Sequence, residues 1–187
     1  TCTLLVWRIV VSENSLKVKG MAALKAEISA AVEKMERNDE RMANAPEGPS
    51  TGDLYVFSAT AELGIQWAIV RPHVDDAELW FMVPFDMDPF VGTWDINVPE
   101  FSDAGAGVLR CGRGIWIHTD DMRLGTRSGF LEADYVDEVK QRLAAMVHGE
   151  IVPGTHNPEV DEDPEYQEWI GEVTAAAERL ESLIKAQ

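Results

Sequence analysis

The stretch TWDINVP, residues 93–99, alternates cleanly enough to decide the kind of fold to expect. Trp94, Ile96 and Val98 fall on one side of an extended chain, and Asp95 and Asn97 on the other, which is the two-residue period of a strand. Upstream, LWFMVPF (79–85), WAIV (67–70) and LYVF (54–57) are short, aromatic and β-branched. Turn signals separate them at Glu62-Leu63-Gly64, His73 to Asp76 and Asp86 to Gly92. Downstream, a turn at Ser102 to Gly107 leads into VLRCGRGIWIHTDDM (108–122). There two apolar runs flank Arg110, Cys111 and Arg113, and Gly112 and Gly114 read as bulge points that bend the strand. About five strands with no long helix between them should form an antiparallel meander. At this length a small closed barrel or a strongly bent sheet is the expected solution, because closure removes edges.

Helical patterns flank this region. Leu24, Ile28, Val32, Met35 and Met42 recur at helical spacing, and Glu33 precedes Arg37 by one turn. A helix is therefore expected over 21–45, followed by a Pro/Gly linker over 46–51. After the barrel segment, Val136, Val139, Leu143, Met146 and Val147 form one stripe of a closing helix over 132–148. Gly149 suits its C-terminal cap, and His148 suits the negative end. Residues 150–187 read as an acidic linker and a last helix starting at Pro164. Tyr166, Trp169, Val173, Ala176, Leu180 and Leu183 keep a three-to-four spacing along it. Nine acids from Glu159 to Glu181 face Arg179 alone, so the opposite side is strongly anionic. Such a helix either docks on its own domain or pairs with residues 21–44, the favoured reading, or offers a seam to a partner or a second copy.

The fold class is thus α+β: a small antiparallel barrel over 52–149 with a closing helix, plus N- and C-terminal amphipathic helices. Residues 1–20 read as a leader of doubtful origin, since MAALKAEISA from Met21 resembles a natural beginning; a strand over 4–11 is the alternative. The run LLVWRIVV (4–11) is too short to span a bilayer and Arg8 interrupts it, so no membrane segment is expected.

Thirty-three acids against sixteen bases give a net charge of −17, a field that repels phosphate backbones. Nucleic acid is therefore not an expected partner. Two cysteines, Cys2 and Cys111, make neither a metal spacing nor a disulfide framework, which fits a reducing cytoplasmic compartment.

Several short motifs occur in a particular order. Gly52-Asp53-Leu54-Tyr55 opens the first strand, and Gln66 to Pro72 forms a strand ending Arg-Pro. Val83-Pro84-Phe85-Asp86 ends another, and Val108-Leu109-Arg110-Cys111-Gly112-Arg113 precedes the close. Gly129-Phe130-Leu131 and then Glu138-Val139 to Leu143 complete the series. In order and spacing this resembles the PemK/MazF toxins, also called the Kid family, over about half of the chain (52–149). The resemblance implies a five-to-seven-stranded barrel related to CcdB, pairing as a dimer. It also implies metal-independent cleavage of messenger RNA, and antitoxin partners whose acidic, tryptophan-bearing tails lie across the RNA groove.

That chemistry needs a base for the ribose 2′-hydroxyl, an acid for the leaving oxygen and a cation for the phosphate. Arg110 matches the family arginine that acts as acid and phosphate stabiliser. The aspartate two residues later is Gly112 here, and the threonine after Val-Pro is Asp86. The family's loop histidine has no counterpart in Thr60 to Gly64, and its Gly-x-Arg-Pro arginine falls near Gln66-Trp67. Each missing acid or base forfeits a factor of about 10² to 10⁴.

The expected function is accordingly a catalytically impaired PemK/MazF-like barrel acting as a protein-binding or regulatory module. The tail from Glu159 to Trp169 is expected to occupy the barrel's own groove. One alternative is an active endoribonuclease with a relocated centre built from Arg71, Arg110 and Arg113 with His118 or Asp120. Another is a structural homodimer module. No cofactor or metal is expected: His118, Asp120 and Asp121 lack a second ligand pair beyond His148-Gly149-Glu150.

Overall fold

The structure, a computed structural model, describes residues 21–99 and 104–186; residues 1–20, with the alternative strand over 4–11, lie outside the described residues. The chain divides into two units between Asn44 and Ala45. The first contains helix α1 (Met21–Ala43), the helix expected over 21–45. Its end is closed by Asn44, whose side-chain amide donates to the Glu40 carbonyl at 2.8 Å. Val32 and Met42 of its apolar stripe are exposed.

Among its described residues, the second unit contains seven strands and three α-helices. The strands are β1 (Asp53–Phe57), β2 (Gln66–Pro72), β3 (Leu79–Asp86), β4 (Asp95–Val98), β5 (Gly107–Arg110), β6 (Ile115–His118) and β7 (Gly125–Phe130). The helices are α2 (Ala133–His148), α3 (Pro158–Asp161) and α4 (Pro164–Lys185). Every strand pairing is antiparallel, in the order β4-β5-β3-β2-β1-β7, with β6 also paired to β3.

The bend read into the glycine-rich stretch is a register step. Phe85 of β3 faces Leu109 of β5, so unbroken pairing would set Met82 opposite Gly112. Met82 instead faces Ile115 of β6. The three extra residues, Cys111–Arg113, form a 3-10 turn between β5 and β6, so the two strands share one edge of β3. Gly114 ends that turn beneath Phe81, where an added Cβ would lie 2.2 Å from the ring.

The expected closed barrel is not formed, because β7 at one end of the sheet pairs with neither β4 nor β6 at the other. The chain passes from β6 to β7 through a six-residue 3-10 turn, Thr119–Leu124, which buries Met122 where a ladder would have run. Both faces of the sheet are apolar, and each is covered by a helix. Alternation along β2 sends Trp67 and Ile69 to one face and Ala68 and Val70 to the other. The first face packs with Phe57, Met82 and Ile117 against Val173, Ala176 and Leu180 of α4. The second packs with Leu54, Val83 and Leu109 against Val136 and Val139 of α2. A sheet buried on both sides by helices gains little from closing on itself, since closure would enclose only one of the two cores.

Local chemistry sets the helix limits. The Asp163 side chain accepts from the Glu165 N–H at 2.8 Å and Pro164 occupies the first turn, so α4 begins where the sequence indicated. At the end of α2, Gly149 takes the left-handed conformation (φ 68°), which a side chain would oppose. The stripe on α4 is buried on its own sheet: Tyr166, Val173, Ala176 and Leu180 are buried, with Trp169 half-buried and Leu183 at the exposed end.

Candidate functional site

Arg110 ends β5 and has no solvent exposure. Its Cα partner across the sheet is Asp95, a polar residue of the alternating stretch TWDINVP. All five guanidinium N–H groups have acceptors. Nε donates to Asp86 Oδ2 at 2.8 Å, and Nη2 to Asp86 Oδ1 at 2.8 Å and the Asp88 carbonyl at 3.4 Å. Nη1 donates to the Phe90 carbonyl at 2.6 Å and to Asp95 Oδ2 at 2.8 Å. The Asp86 contact is a two-pronged fork, the strongest geometry available to an arginine and a carboxylate. Burial on its own would lower the Arg110 pKa; the hydrogen bonds and charges of Asp86 and Asp95 together overcome that and raise it.

The loop from Asp86 to Gly92 is held by its own aspartates. Asp86 Oδ1 accepts from the Asp88 N–H at 3.0 Å, and Asp88 Oδ1 from the Phe90 N–H at 3.0 Å. Asp95 Oδ2 accepts from the Gly92 N–H at 3.1 Å. Side chains that bond the backbone two or three residues away favour such turns over strand. Each aspartate therefore serves both the loop and the arginine.

The C-terminal segment closes the cluster. The Tyr166 hydroxyl donates to Asp95 Oδ2 at 2.9 Å, and its ring lies 5.9 Å from the Arg110 guanidinium carbon. Burial, then the Asp95 charge and the hydrogen bond to it, push the Tyr166 pKa up. Asp161 accepts from the Thr93 N–H at 2.9 Å and also from the Thr93 hydroxyl. Asn157 donates to Thr93 Oγ1 and to the Val91 carbonyl, each at 2.9 Å. From the other helix, Arg142 donates to the Thr93 carbonyl at 2.9 Å. Gly92 admits this arrangement because it lacks a side chain: a Cβ there would lie 2.2 Å from the Tyr166 hydroxyl.

Of the residues singled out from sequence, the structure brings Arg110 and Asp86 together. Arg71 is exposed, with its guanidinium 5.5 Å from the centre of the Trp116 ring. Arg113 is exposed and reaches the Gly112 carbonyl at 3.5 Å. His118 Nε2 lies 3.2 Å from Glu78, and its Nδ1 accepts from the Asp120 N–H at 3.3 Å. Cys111 is buried, and desolvation followed by the Asp95 charge pushes its thiol pKa up, away from the thiolate a nucleophile would need. No group of three or more His, Cys, Asp or Glu side chains suited to a metal ion occurs among the described residues. No helix among them is long and apolar enough to cross a membrane.

Sequence reasoning missed Asp95, Thr93 and Arg142 as members of the cluster, whereas Asp161 lies in the segment 159–169 expected to reach the groove. The signal for Asp95 was an acid in a strand that could stand opposite Arg110, since unlike charges favour facing positions. For Thr93 and Arg142, which lie far apart in sequence, no local signal exists.

No protein-family model matches the chain, and no curated protein matches it. Among solved structures, two crystal forms of MazE-MazF from Deinococcus radiodurans are similar to it. Form I covers 55% of this chain and 99% of the matched chain at 15% identity, with a TM-score of 0.45. Form II covers 56% and 99% at 15% identity, with a TM-score of 0.43.

Proposed function

We propose that the chain is a PemK/MazF-like module in which the arginine of the toxin motif has become a structural group. On this reading it binds or regulates a protein and does not cleave RNA. The observation that carries the reading is the saturation of Arg110. Its five donors are taken by Asp86, Asp95 and two loop carbonyls, leaving none for a phosphate. Two carboxylates beside it repel the group that an active toxin must hold. The acid or base that the resemblance implies two residues later is Gly112. The acidic, tryptophan-bearing segment from Glu159 to Trp169 sits in cis beside this cluster through Asp161 and Tyr166, in keeping with an intramolecular cover. The partner on this reading is a protein, and the dimer implied by the resemblance is part of the proposal.

Incubation of the full chain with single-stranded RNA in EDTA tests the reading, and the RNA is expected to remain intact. Cleavage that disappears in Arg71→Gln, Arg113→Gln or His118→Asn would overturn it in favour of a relocated endoribonuclease centre. These three residues are exposed or half-exposed, so their replacement leaves the fold standing. Sedimentation at micromolar concentration tests the dimer.

A further inference from the structure

A second feature of the sheet shares no residue with the Arg110 cluster. Arg71 of β2, Phe81 of β3 and Trp116 of β6 meet Leu143, Met146 and Val147 of α2 around a groove of about 330 Å³. The register aligns the first three across adjacent strands: Arg71 faces Phe81, and Phe81 faces Trp116. Trp116 is held in place by Phe81, with ring centres 5.0 Å apart, and by the edge of His73, also at 5.0 Å. Trp116 is nonetheless 36% exposed and Val147 83% exposed, an apolar surface open to water.

Arg71 has no carboxylate partner among the described residues, although the chain holds 33 acids. Stacking on Trp116 orients the guanidinium and leaves its N–H edge free. A guanidinium over an aromatic ring and without a carboxylate partner, at the lip of an apolar groove, can receive an anion with an apolar body. Three considerations narrow the class. The guanidinium fork matches a carboxylate. The −17 net charge works against a dianionic phosphate or a multiply charged acidic peptide more than against one negative charge. The volume lies at the lower end of small-ligand clefts, about 300–1,000 Å³.

We infer that this groove binds an amphipathic monocarboxylate, a small molecule with one carboxylate head and an aliphatic or aromatic body. The head pairs with Arg71. The body lies along Phe81, Trp116 and Met146 toward the end of α2. The opposite orientation is disfavoured, because the last turn of α2 presents carbonyl oxygens to a negative charge.

Octanoate titrated into the full ¹⁵N-labelled chain tests the inference, read at the indole N–H of Trp116 and assigned by Trp116→Phe. The expected result is a saturable shift of that signal. Octanol should bind about tenfold more weakly, because it forgoes the charge-assisted bond. Acetate, lacking the body, should leave the signal in place. Arg71→Gln, a change at an exposed position, should bring octanoate down to the octanol level without altering octanol binding. Equal binding of octanol and octanoate would overturn the inference, as would an octanoate response insensitive to Arg71→Gln. A Trp116 signal that does not saturate by about 10 mM octanoate would overturn it too.

Discussion

Replacing Arg110 by methionine removes the cation and keeps most of the side-chain volume. Asp86 and Asp95, 1% and 4% exposed, are then left buried without their counter-charge. Breaking a buried ion pair by removing one partner costs about 3–5 kcal/mol. For a unit of this size each kcal/mol lowers Tm by about 2–4 °C, so the expected fall is roughly 6–20 °C. Calorimetry of the full chain at neutral pH measures it. Adding Asp86→Leu to Arg110→Met should recover part of the loss, because an apolar pair needs no counter-charge. If Arg110→Met melted within about 2 °C of the parent, the structural role assigned to Arg110 would be wrong, and the residue would be free for chemistry.

Three further outcomes follow from the same contacts. Because its pKa is raised, folded Tyr166 holds its proton more tightly than the unfolded chain, whose tyrosines titrate near about 10. Its contribution is complete below that pH and declines as pH rises above it, so Tyr166→Phe should flatten the alkaline loss of stability seen in urea midpoints from pH 8 to about 11. Part of that loss should persist, since the Tyr55 and Tyr135 pKa values are raised as well. Gly92→Ala should cost about 1–3 kcal/mol and dislodge Tyr166, read as faster hydrogen exchange over 157–170. Asp161→Ala deletes both contacts to Thr93, and exchange should rise in the Asp86–Thr93 loop with little change in β1 or β2.

Much of the architecture was legible because it is written in local periodicity. LWFMVPF, WAIV and LYVF are all strands, as is DINV of TWDINVP, whose Thr93 and Trp94 lie in the turn before it, and three helices stand within a residue or two of where stripes and caps placed them. β7 escaped because GTRSGF has a strand's exposure pattern without a strand's apolar residues. Closure was misjudged because alternation along one strand cannot tell a sheet covered by helices on both faces from one rolled around a single core. Asp95, on the polar side of the alternation, is buried because Arg110 faces it across the ladder. Arg110 itself was found by its motif, but its saturation depends on Asp95 and the Phe90 carbonyl, which no motif marks as its partners.

The cluster around Arg110 also imposes an order on events during synthesis. Asp86, Asp95 and Arg110 leave the ribosome early, whereas Asn157, Asp161 and Tyr166 follow about fifty residues after Arg110. At about 5–20 residues per second, the nascent sheet spends roughly 3–10 s without its latch. Trp67, Ile69 and Ile117, which α4 later covers, face the surroundings for at least that interval. Slower decoding between residues 110 and 166 would lengthen the time for which this apolar face stays open.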